Sequence, residues 1–212
     1  MKGKFISLEG GEGSGKSTAI DFIQRWLESH KVPFIMTREP GGTPFSEEIR
    51  QLVLSSREEK VNDTAELLLM FAARAQHVAE KIKPAIDQGT WVVSDRFIDS
   101  SYVYQGDARG GSTQILDQLT EWAVGDYHPD ATLLLDVPVD VGQQRVLQRK
   151  YQDRLDKESS LFHQKVRDGF LERARLNPHR IRIIDASLPL EDVIAQIEKQ
   201  LEALVQSWSG GI

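Results

Sequence analysis

The stretch Phe5-Ile6-Ser7-Leu8-Glu9-Gly10-Gly11-Glu12-Gly13-Ser14-Gly15-Lys16-Ser17-Thr18 decides the fold of this chain. Residues 5–8 form a short, mainly apolar run, which is long enough for one buried strand and too short for a helix. Residues 10–17 follow the pattern G-x-x-x-x-G-K-S. Apolar residues then recur at helical spacing, at Ile20, Ile23, Trp26 and Leu27. A strand, this glycine-rich turn and a helix, in that order, predict a phosphate-binding loop (P-loop).

The residues of the P-loop suit a nucleotide polyphosphate. Glycines let the backbone curl closely enough for several N–H groups to converge on phosphate oxygens. The helix that follows adds its unpaired N–H groups and the positive end of its dipole. We expect Lys16 to bridge the β- and γ-phosphates and the Ser17 hydroxyl to bind Mg²⁺. The candidate ATP-binding residues of this loop are Gly10, Gly11, Glu12, Gly13, Ser14, Gly15, Lys16, Ser17 and Thr18.

Composition limits the classes of protein to which the chain can belong. Its 212 residues suffice for a full core and are expected to form a single α/β domain over 1–212. A net charge of −6 argues against a protein that binds nucleic acid or an anionic membrane. The absence of cysteine excludes disulfides and agrees with a reducing compartment. Because the sequence shows neither an apolar signal-peptide core nor a membrane-spanning run, the expected location is the cytoplasm.

Four more strands and a series of helices are predicted to follow the P-loop in alternation. The strands are expected at 33–36, 91–93, 131–136 and 181–185. The helices are expected at 17–30, around 49–53, at 63–87 with Asp63 as N-cap, and at 113–124, 139–148, 159–177 and 190–205, with a frayed tail from 207. This order predicts a three-layer α/β fold of the P-loop NTPase type, with a five-stranded parallel sheet flanked by helices.

Charged residues at the ends of the predicted strands are candidates for a ligand site, because open parallel sheets bind ligands at the carboxyl ends of their strands. Arg38 follows the second strand in a loop rich in proline and glycine. Its position alone leaves open whether it is functional or simply solvated. Asp95 ends the third strand, where a P-loop fold needs a carboxylate near Mg²⁺.

Two further groups have both a structural and a functional interpretation. Phe71 and Arg74 lie on one stripe of the long predicted helix, together with Leu67 and Val78. The pair can be ordinary packing, with the arginine reaching to water, or a face that stacks on a base. Three arginines and a lysine lie in the segment 145–154, which can be a solvated helix end or a cationic site.

Four motifs together make the chain resemble the thymidylate kinase family. They are Thr37-Arg38-Glu39-Pro40-Gly41-Gly42, Phe71-Ala72-Ala73-Arg74, Asp95-Arg96-Phe97 followed by Ser100-Ser101-Tyr102-Val103-Tyr104-Gln105, and the basic segment before the helix at 159–177. The third motif is the specific one, whereas the P-loop alone indicates only nucleotide binding. The resemblance covers essentially the whole chain.

The resemblance implies which residues bind dTMP. Arg38 and Arg96 would grip its 5′-phosphate, and the Glu12 carboxylate would accept a hydrogen bond from the deoxyribose 3′-hydroxyl. Phe71 would stack on thymine, and Arg74 would hydrogen-bond its carbonyl edge. The remaining residues of the base and sugar pocket would be Ser101, Tyr104 and Gln105.

The resemblance also implies the ATP side of the site. Asp95 would lie near Mg²⁺, Arg145 beside the adenine, and the turn that contains Ala186 along the adenine ring. The family is usually a homodimer, so ATP, dTMP and a second copy of the chain are the expected partners.

A short mobile lid at about 149–158 is implied as well. Some family members carry a catalytic arginine in the P-loop directly after the carboxylate, but here that position is Gly13. The chain is therefore similar to the bacterial subtype whose lid supplies the arginine. Arg149 is the candidate for this role and Arg154 the alternate.

The implied reaction transfers the γ-phosphoryl group of ATP to dTMP, which yields ADP and dTDP for dTTP synthesis. Direct in-line transfer needs no covalent intermediate, so positioning and charge stabilisation should account for catalysis. The catalytic candidates are Lys16, Asp95, Arg96 and Arg149. Two alternatives remain: a P-loop kinase for another small acceptor, and a nucleotide-dependent switch. The chain has no guanine-recognising Asn-Lys-x-Asp, which argues against the switch.

Overall fold

The computed structural model describes residues 2–55, 57–59, 61–148 and 155–209. Within these residues, five parallel strands form one sheet in the order β2-β3-β1-β4-β5. They are β1 Phe5–Glu9, β2 Phe34–Arg38, β3 Trp91–Asp95, β4 Ala131–Asp136 and β5 Ile181–Asp185. The predicted five-stranded parallel sheet is confirmed, and the strand that precedes the P-loop lies at its centre.

Helices cover both faces of the sheet. They are α1 Lys16–Ser29, α2 Pro44–Leu54, α3 Asp63–His77, α4 Lys83–Asp87, α5 Ile98–Ser101, α6 Thr113–Val124, α7 Val139–Leu147, α8 Ser160–Leu176 and α9 Leu190–Ser209. Two π-helical stretches, Val78–Ile82 and Tyr102–Asp107, and a 3₁₀ turn, Leu155–Lys157, complete the helical structure of the described residues. None of these helices is long and apolar enough to cross a membrane.

The central strand β1 shows why the sheet needs helices on both faces. Successive side chains of a strand point to opposite sides. Ile6 and Leu8 pack in a cluster with α1 and α9, whereas Phe5 packs in another cluster with Val78 and Ile86. All three strand side chains are fully buried. A strand buried on both faces has to be apolar throughout, as the sequence of β1 nearly is.

The strand register gathers the carboxyl ends of the strands at one edge. Arg38, at the end of β2, pairs with Asp95 at the end of β3, and Leu8 of β1 pairs with Asp95 from the other side. The P-loop follows β1 at this same edge. The fold therefore places the P-loop, Arg38 and Asp95 where open parallel sheets bind their ligands.

The long helix predicted over 63–87 is divided in the structure. Between α3 and α4 the turn Val78–Ile82 is wider, and the Lys83 N–H bonds to the Val78 carbonyl five residues earlier. Pro84 follows directly. Proline has no N–H, and its ring clashes with the carbonyl one turn earlier in a regular helix, so the wider turn accommodates it.

The ends of two helices also differ from the prediction. Asn62 caps α3 in place of Asp63, because its side-chain oxygen accepts hydrogen bonds from two N–H groups of the first turn at 2.9 and 3.4 Å. The last helix continues to Ser209 and does not fray from 207. Trp208 packs edge-on against Trp91, with 5.1 Å between ring centroids, which holds this end on the sheet.

Candidate active site

A cleft of about 420 Å³ opens beside the P-loop at the carboxyl edge of the sheet. The structure brings most of the predicted site residues to its wall. These are Glu12, Gly15, Lys16, Ser17, Thr18, Arg38, Arg74, Asp95, Arg96, Ser101, Tyr104 and Gln105. They come from separate segments of the chain, so it is the order of the strands that assembles the site.

Lys16, the first residue of α1, lies against the P-loop backbone. Its ammonium donates hydrogen bonds to the carbonyl oxygens of Gly10 (2.9 Å) and Gly11 (3.1 Å). Burial, together with the nearby positive charge of Arg96, lowers the pKa of Lys16 from 10.5 to about 8. A polyphosphate at this loop would supply anionic oxygens to the ammonium, which favours its charged form.

Gly13 leaves no room for a side chain in the P-loop. Its φ is 74°, in the left-handed region that glycine tolerates best. A Cβ there would overlap the backbone carbonyl of Gly142 in α7. An arginine at this position would have to displace α7, which agrees with the departure from the other family subtype seen in the sequence.

The turn after β3 carries Arg96 into the cleft. Its φ of 66° is strained for a residue with a side chain, a feature common at functional sites. The guanidinium donates hydrogen bonds to Glu12 (2.7 Å) and to the Gly10 carbonyl (3.0 Å). The Tyr104 hydroxyl donates to the same Glu12 oxygen at 2.9 Å. Arg96, Glu12 and Tyr104 thus form one unit that joins the P-loop to the opposite wall.

Glu9 holds this turn through hydrogen bonds. It was not among the predicted site residues. Its carboxylate, fully buried at the end of β1, accepts hydrogen bonds from the Phe97 N–H (2.8 Å) and the Ser100 hydroxyl (2.7 Å). Burial, reinforced by nearby Asp99, raises the pKa of Glu9 from 4.5 to about 7. The signal in the sequence was an acidic residue directly after an apolar strand.

Two arginines reach the cleft from the segment that follows β2. Arg38 is half exposed and donates hydrogen bonds to Glu47 at 2.8 and 3.3 Å. Arg50, on α2, lines the same cleft and donates to the Pro40 carbonyl at 2.8 Å. Burial and the neighbouring Arg38 lower the pKa of Arg50. The sequence analysis missed Arg50, because no local pattern distinguishes it from other arginines on an amphipathic helix.

Arg74 is held by a buried network. Its Nε donates to Glu39 at 2.7 Å, its Nη1 to the Ser101 hydroxyl at 3.0 Å and its Nη2 to the Phe97 carbonyl at 3.3 Å. Glu39 also bonds to His77 at 2.9 Å. Only 4% of the Arg74 side chain is exposed, so its guanidinium has one orientation, and its remaining N–H groups are fixed with it.

The stacking of Phe71 on thymine stays a prediction, and its ring centroid lies 4.7 Å from the guanidinium of Arg74. Its ring is buried in a cluster with Leu67, Tyr102 and Leu116, and it does not line the cleft. Met70, one position earlier, does line it. The stripe of α3 that faces the cleft runs through positions four residues apart, Glu66, Met70 and Arg74. This spacing of four was visible in the sequence, whereas the stacking role of Phe71 was implied by the family resemblance.

Gln105 and Ser101 complete the wall opposite the P-loop. The Gln105 side-chain amide donates to Glu66 at 3.3 Å, and Arg109 donates to the same Glu66 oxygen at 2.8 Å. Gln105 lies in the π-helical stretch Tyr102–Asp107, which the sequence analysis did not identify as helical. The wider π-turn carries two predicted site residues, Tyr104 and Gln105, and Ser101 directly precedes it; all three line the cleft.

Ser17 and Asp95, the predicted metal ligands, both line the cleft. One buried carboxylate oxygen of Asp95 has no hydrogen-bond partner among the described residues. In the same part of the chain there is no cluster of three or more acidic or histidine side chains that could hold a metal alone. Mg²⁺ commonly takes one or two protein ligands and completes its shell with phosphates and water, so this pair fits it.

A second hollow of about 230 Å³ lies on the other side of the P-loop. Ser14, Arg145 and Ala186 line it, and Arg145 donates a hydrogen bond to the Ala186 carbonyl at 3.0 Å. Arg145 and Ala186 are the residues expected beside the adenine. The lid candidates Arg149 and Arg154 lie outside the described residues.

Three comparisons with known proteins each find thymidylate kinases. A family model described as thymidylate kinase matches residues 8–197. A thymidylate kinase of Marinomonas sp. (strain MWYL1) is 70% identical over 210 residues, which cover 99% of each chain. One of Methylococcus capsulatus is 50% identical, with 96% of this chain and 97% of the relative covered. The crystal structure of thymidylate kinase from Ehrlichia chaffeensis matches with a TM-score of 0.75 and 32% identity, covering 95% of this chain and 99% of that chain.

Proposed function

Because the chain belongs to the thymidylate kinase family, and is thus a phosphotransferase that uses ATP to convert dTMP to dTDP, we propose that both nucleotides meet at the cleft beside the P-loop. The observation that carries this assignment of the site is the convergence of Lys16 with Arg38, Arg50 and Arg96 on one cleft. A triphosphate donor and a monophosphate acceptor need this concentration of positive charge.

The three arginines bind the 5′-phosphate of dTMP. Arginine pairs with phosphate through two parallel N–H groups, which gives strength and a defined orientation. Arg38 and Arg96 already bond to carboxylates, Glu47 and Glu12, so their guanidinium groups are held in place before the substrate arrives. Arg50 lies beside them and adds a third charge that the sequence analysis did not include.

The opposite end of the cleft binds thymine and its sugar. Arg74, Ser101 and Gln105 offer hydrogen bonds to the base edge, and Met70 offers an apolar, polarizable side chain to its face. Glu12 accepts a hydrogen bond from the 3′-hydroxyl. Its bonds to Arg96 and Tyr104 hold the carboxylate at this end of the cleft.

Ser17 and Asp95 would hold Mg²⁺, which would supply positive charge against the phosphates of ATP. Lys16 holds the donor phosphates, and Arg96 holds the acceptor phosphate in line with them. The attacking atom is a phosphate oxygen of dTMP. Because the second pKa of such a phosphate is about 6, the oxygen is already ionised at neutral pH and needs no general base. Arg149, in the lid at about 149–158, is proposed to meet the charge that develops on the transferring group, with Arg154 as the alternate.

The same proposal includes a homodimer. Large apolar side chains are exposed seven residues apart on two helices, Phe45 with Leu52 on α2 and Ile115 with Trp122 on α6. α3, which contributes exposed Leu68, packs against both. Large exposed apolar side chains on neighbouring helices are typical of an interface between subunits. ATP and dTMP are the proposed substrates, and the cytoplasm is the proposed compartment.

A coupled assay of ADP release, with ATP, Mg²⁺ and either dTMP or thymidine, tests the site. dTMP should react and thymidine should not, because the arginines require an acceptor phosphate. Arg96→Ala should lower kcat/KM for dTMP by at least about 10²-fold, or about 2.7 kcal/mol of transition-state stabilisation. Arg25→Ala, on the exposed face of α1, is the matched control and should retain full activity. Efficient use of thymidine, or an unaffected Arg96→Ala, would contradict the proposal.

A further inference from the structure

We infer that Glu66 is a positioning residue that sets the orientation of the Gln105 amide, and through it the choice between thymine and cytosine. The inference rests on dTMP as the acceptor, as proposed above. Glu66 lies on the stripe of α3 that faces the cleft, and only 3% of the residue is exposed. Its Oε1 is 3.3 Å from Nε2 of Gln105, which is buried and lines the same cleft.

The chemistry of the pair fixes which end of the amide faces Glu66. Arg109 donates a hydrogen bond to Oε1 of Glu66 at 2.8 Å, so this oxygen belongs to a carboxylate in an ion pair. A carboxylate only accepts hydrogen bonds, whereas an amide both donates and accepts. The NH₂ group of Gln105 must therefore point to Glu66. Its carbonyl oxygen is then the group that remains for the cleft.

The thymine edge complements this arrangement. Thymine presents a donor, N3–H, beside an acceptor, O4. The Gln105 carbonyl accepts from N3–H, and Arg74 donates to O4 with N–H groups that its bonds to Glu39, Ser101 and Phe97 do not use. Cytosine reverses both positions, since its N3 accepts and its 4-amino group donates. Uracil has the same edge as thymine and lacks only the methyl group.

Glu66→Leu tests the inference, because leucine offers no acceptor to the NH₂ group of Gln105 and so lets the Gln105 amide reverse. We expect the ratio of kcat/KM for dTMP to that for dCMP to fall about tenfold or more, which is the effect of one mismatched hydrogen bond. The ratio of dTMP to dUMP should stay within about twofold of wild type, because both bases present the same edge. A general loss of structure would not separate these two ratios.

Two further variants complete the experiment. Asp63→Asn, the control, changes another carboxylate that pairs with Arg109, at 3.4 Å, and both ratios should be unchanged. If Glu66→Leu does not fold, Arg109→Gln removes the ion pair that holds Oε1 of Glu66 in place beside Gln105, and it should lower the dTMP/dCMP ratio in the same direction. A folded Glu66→Leu with the wild-type dTMP/dCMP ratio would overturn the inference. Failure of the wild-type chain to phosphorylate dTMP would instead overturn the proposed function.

Discussion

Met70 and Phe71 are neighbours in sequence but lie about 100° apart around α3, and this rotation separates a side chain in the cleft from one in the core. We expect Met70→Ala to raise the KM for dTMP about tenfold, equivalent to about 1.4 kcal/mol of lost contact with the base. Phe71→Leu should leave that KM within about twofold and lower the Tm by a few degrees, because it removes packing against Tyr102 and Leu116.

Steady-state kinetics and thermal unfolding of the two variants check this expectation at the residue scale. The Tm of Met70→Ala shows whether the variant is folded when its KM is measured. If Phe71→Leu raises the KM for dTMP as much as Met70→Ala does, the result would support the stacking role predicted for Phe71.

At the scale of elements, the turn from β3 to α5 depends on a buried acid in β1. The pKa of Glu9 is raised from 4.5 to about 7, so between these values the folded state keeps a proton that the unfolded state has lost. The stabilisation is complete below pH 4.5 and is lost as pH rises through about 7. Wild type should therefore lose up to about 3 kcal/mol of unfolding free energy relative to Glu9→Gln over this window.

Urea unfolding of wild type and Glu9→Gln at pH 5 and pH 8 measures the difference. Glu28→Gln, on the exposed face of α1, is the control and should follow wild type at both pH values. The groups that face Glu9 are Asp99, Arg96, Ser100 and the Phe97 N–H, and Glu9→Gln leaves all of them in place. A constant difference between wild type and Glu9→Gln across the window would mean that Glu9 does not titrate there.

At the scale of the whole molecule, the exposed apolar layer of α2, α3 and α6 should decide the oligomeric state. Trp122 is 85% exposed in the single chain. Trp122→Lys places a charge in the proposed interface, where an unpaired buried charge is costly, and should convert a dimer to a monomer. Sedimentation of both proteins at equal concentration measures this. Leu161→Lys, on the exposed face of α8, should remain dimeric, and a wild-type chain that sediments as a monomer would contradict the proposal.

Much of the fold could be predicted because its signals are local. The apolar run of β1, the glycines of the P-loop and the helical spacing after Lys16 each arise from bonding within about a dozen residues. Alternation of strands and helices then leaves few arrangements besides a parallel sheet with crossover helices. The ligand edge follows from that sheet, so Arg38 and Asp95 could be placed near the P-loop before any contact was known.

Other features depended on the tertiary structure. Arg50 carries no local pattern that separates it from ordinary charged residues, and the patterns around Glu9 and Glu66 do not show which groups these carboxylates contact. The sequence by itself determined the strands, the P-loop and the family motifs, because these depend on periodicity and spacing along the chain. Only the tertiary structure decided which face of α3 meets the cleft and which carboxylate meets Gln105, because helix rotation and packing across the sheet set those distances between residues far apart in sequence.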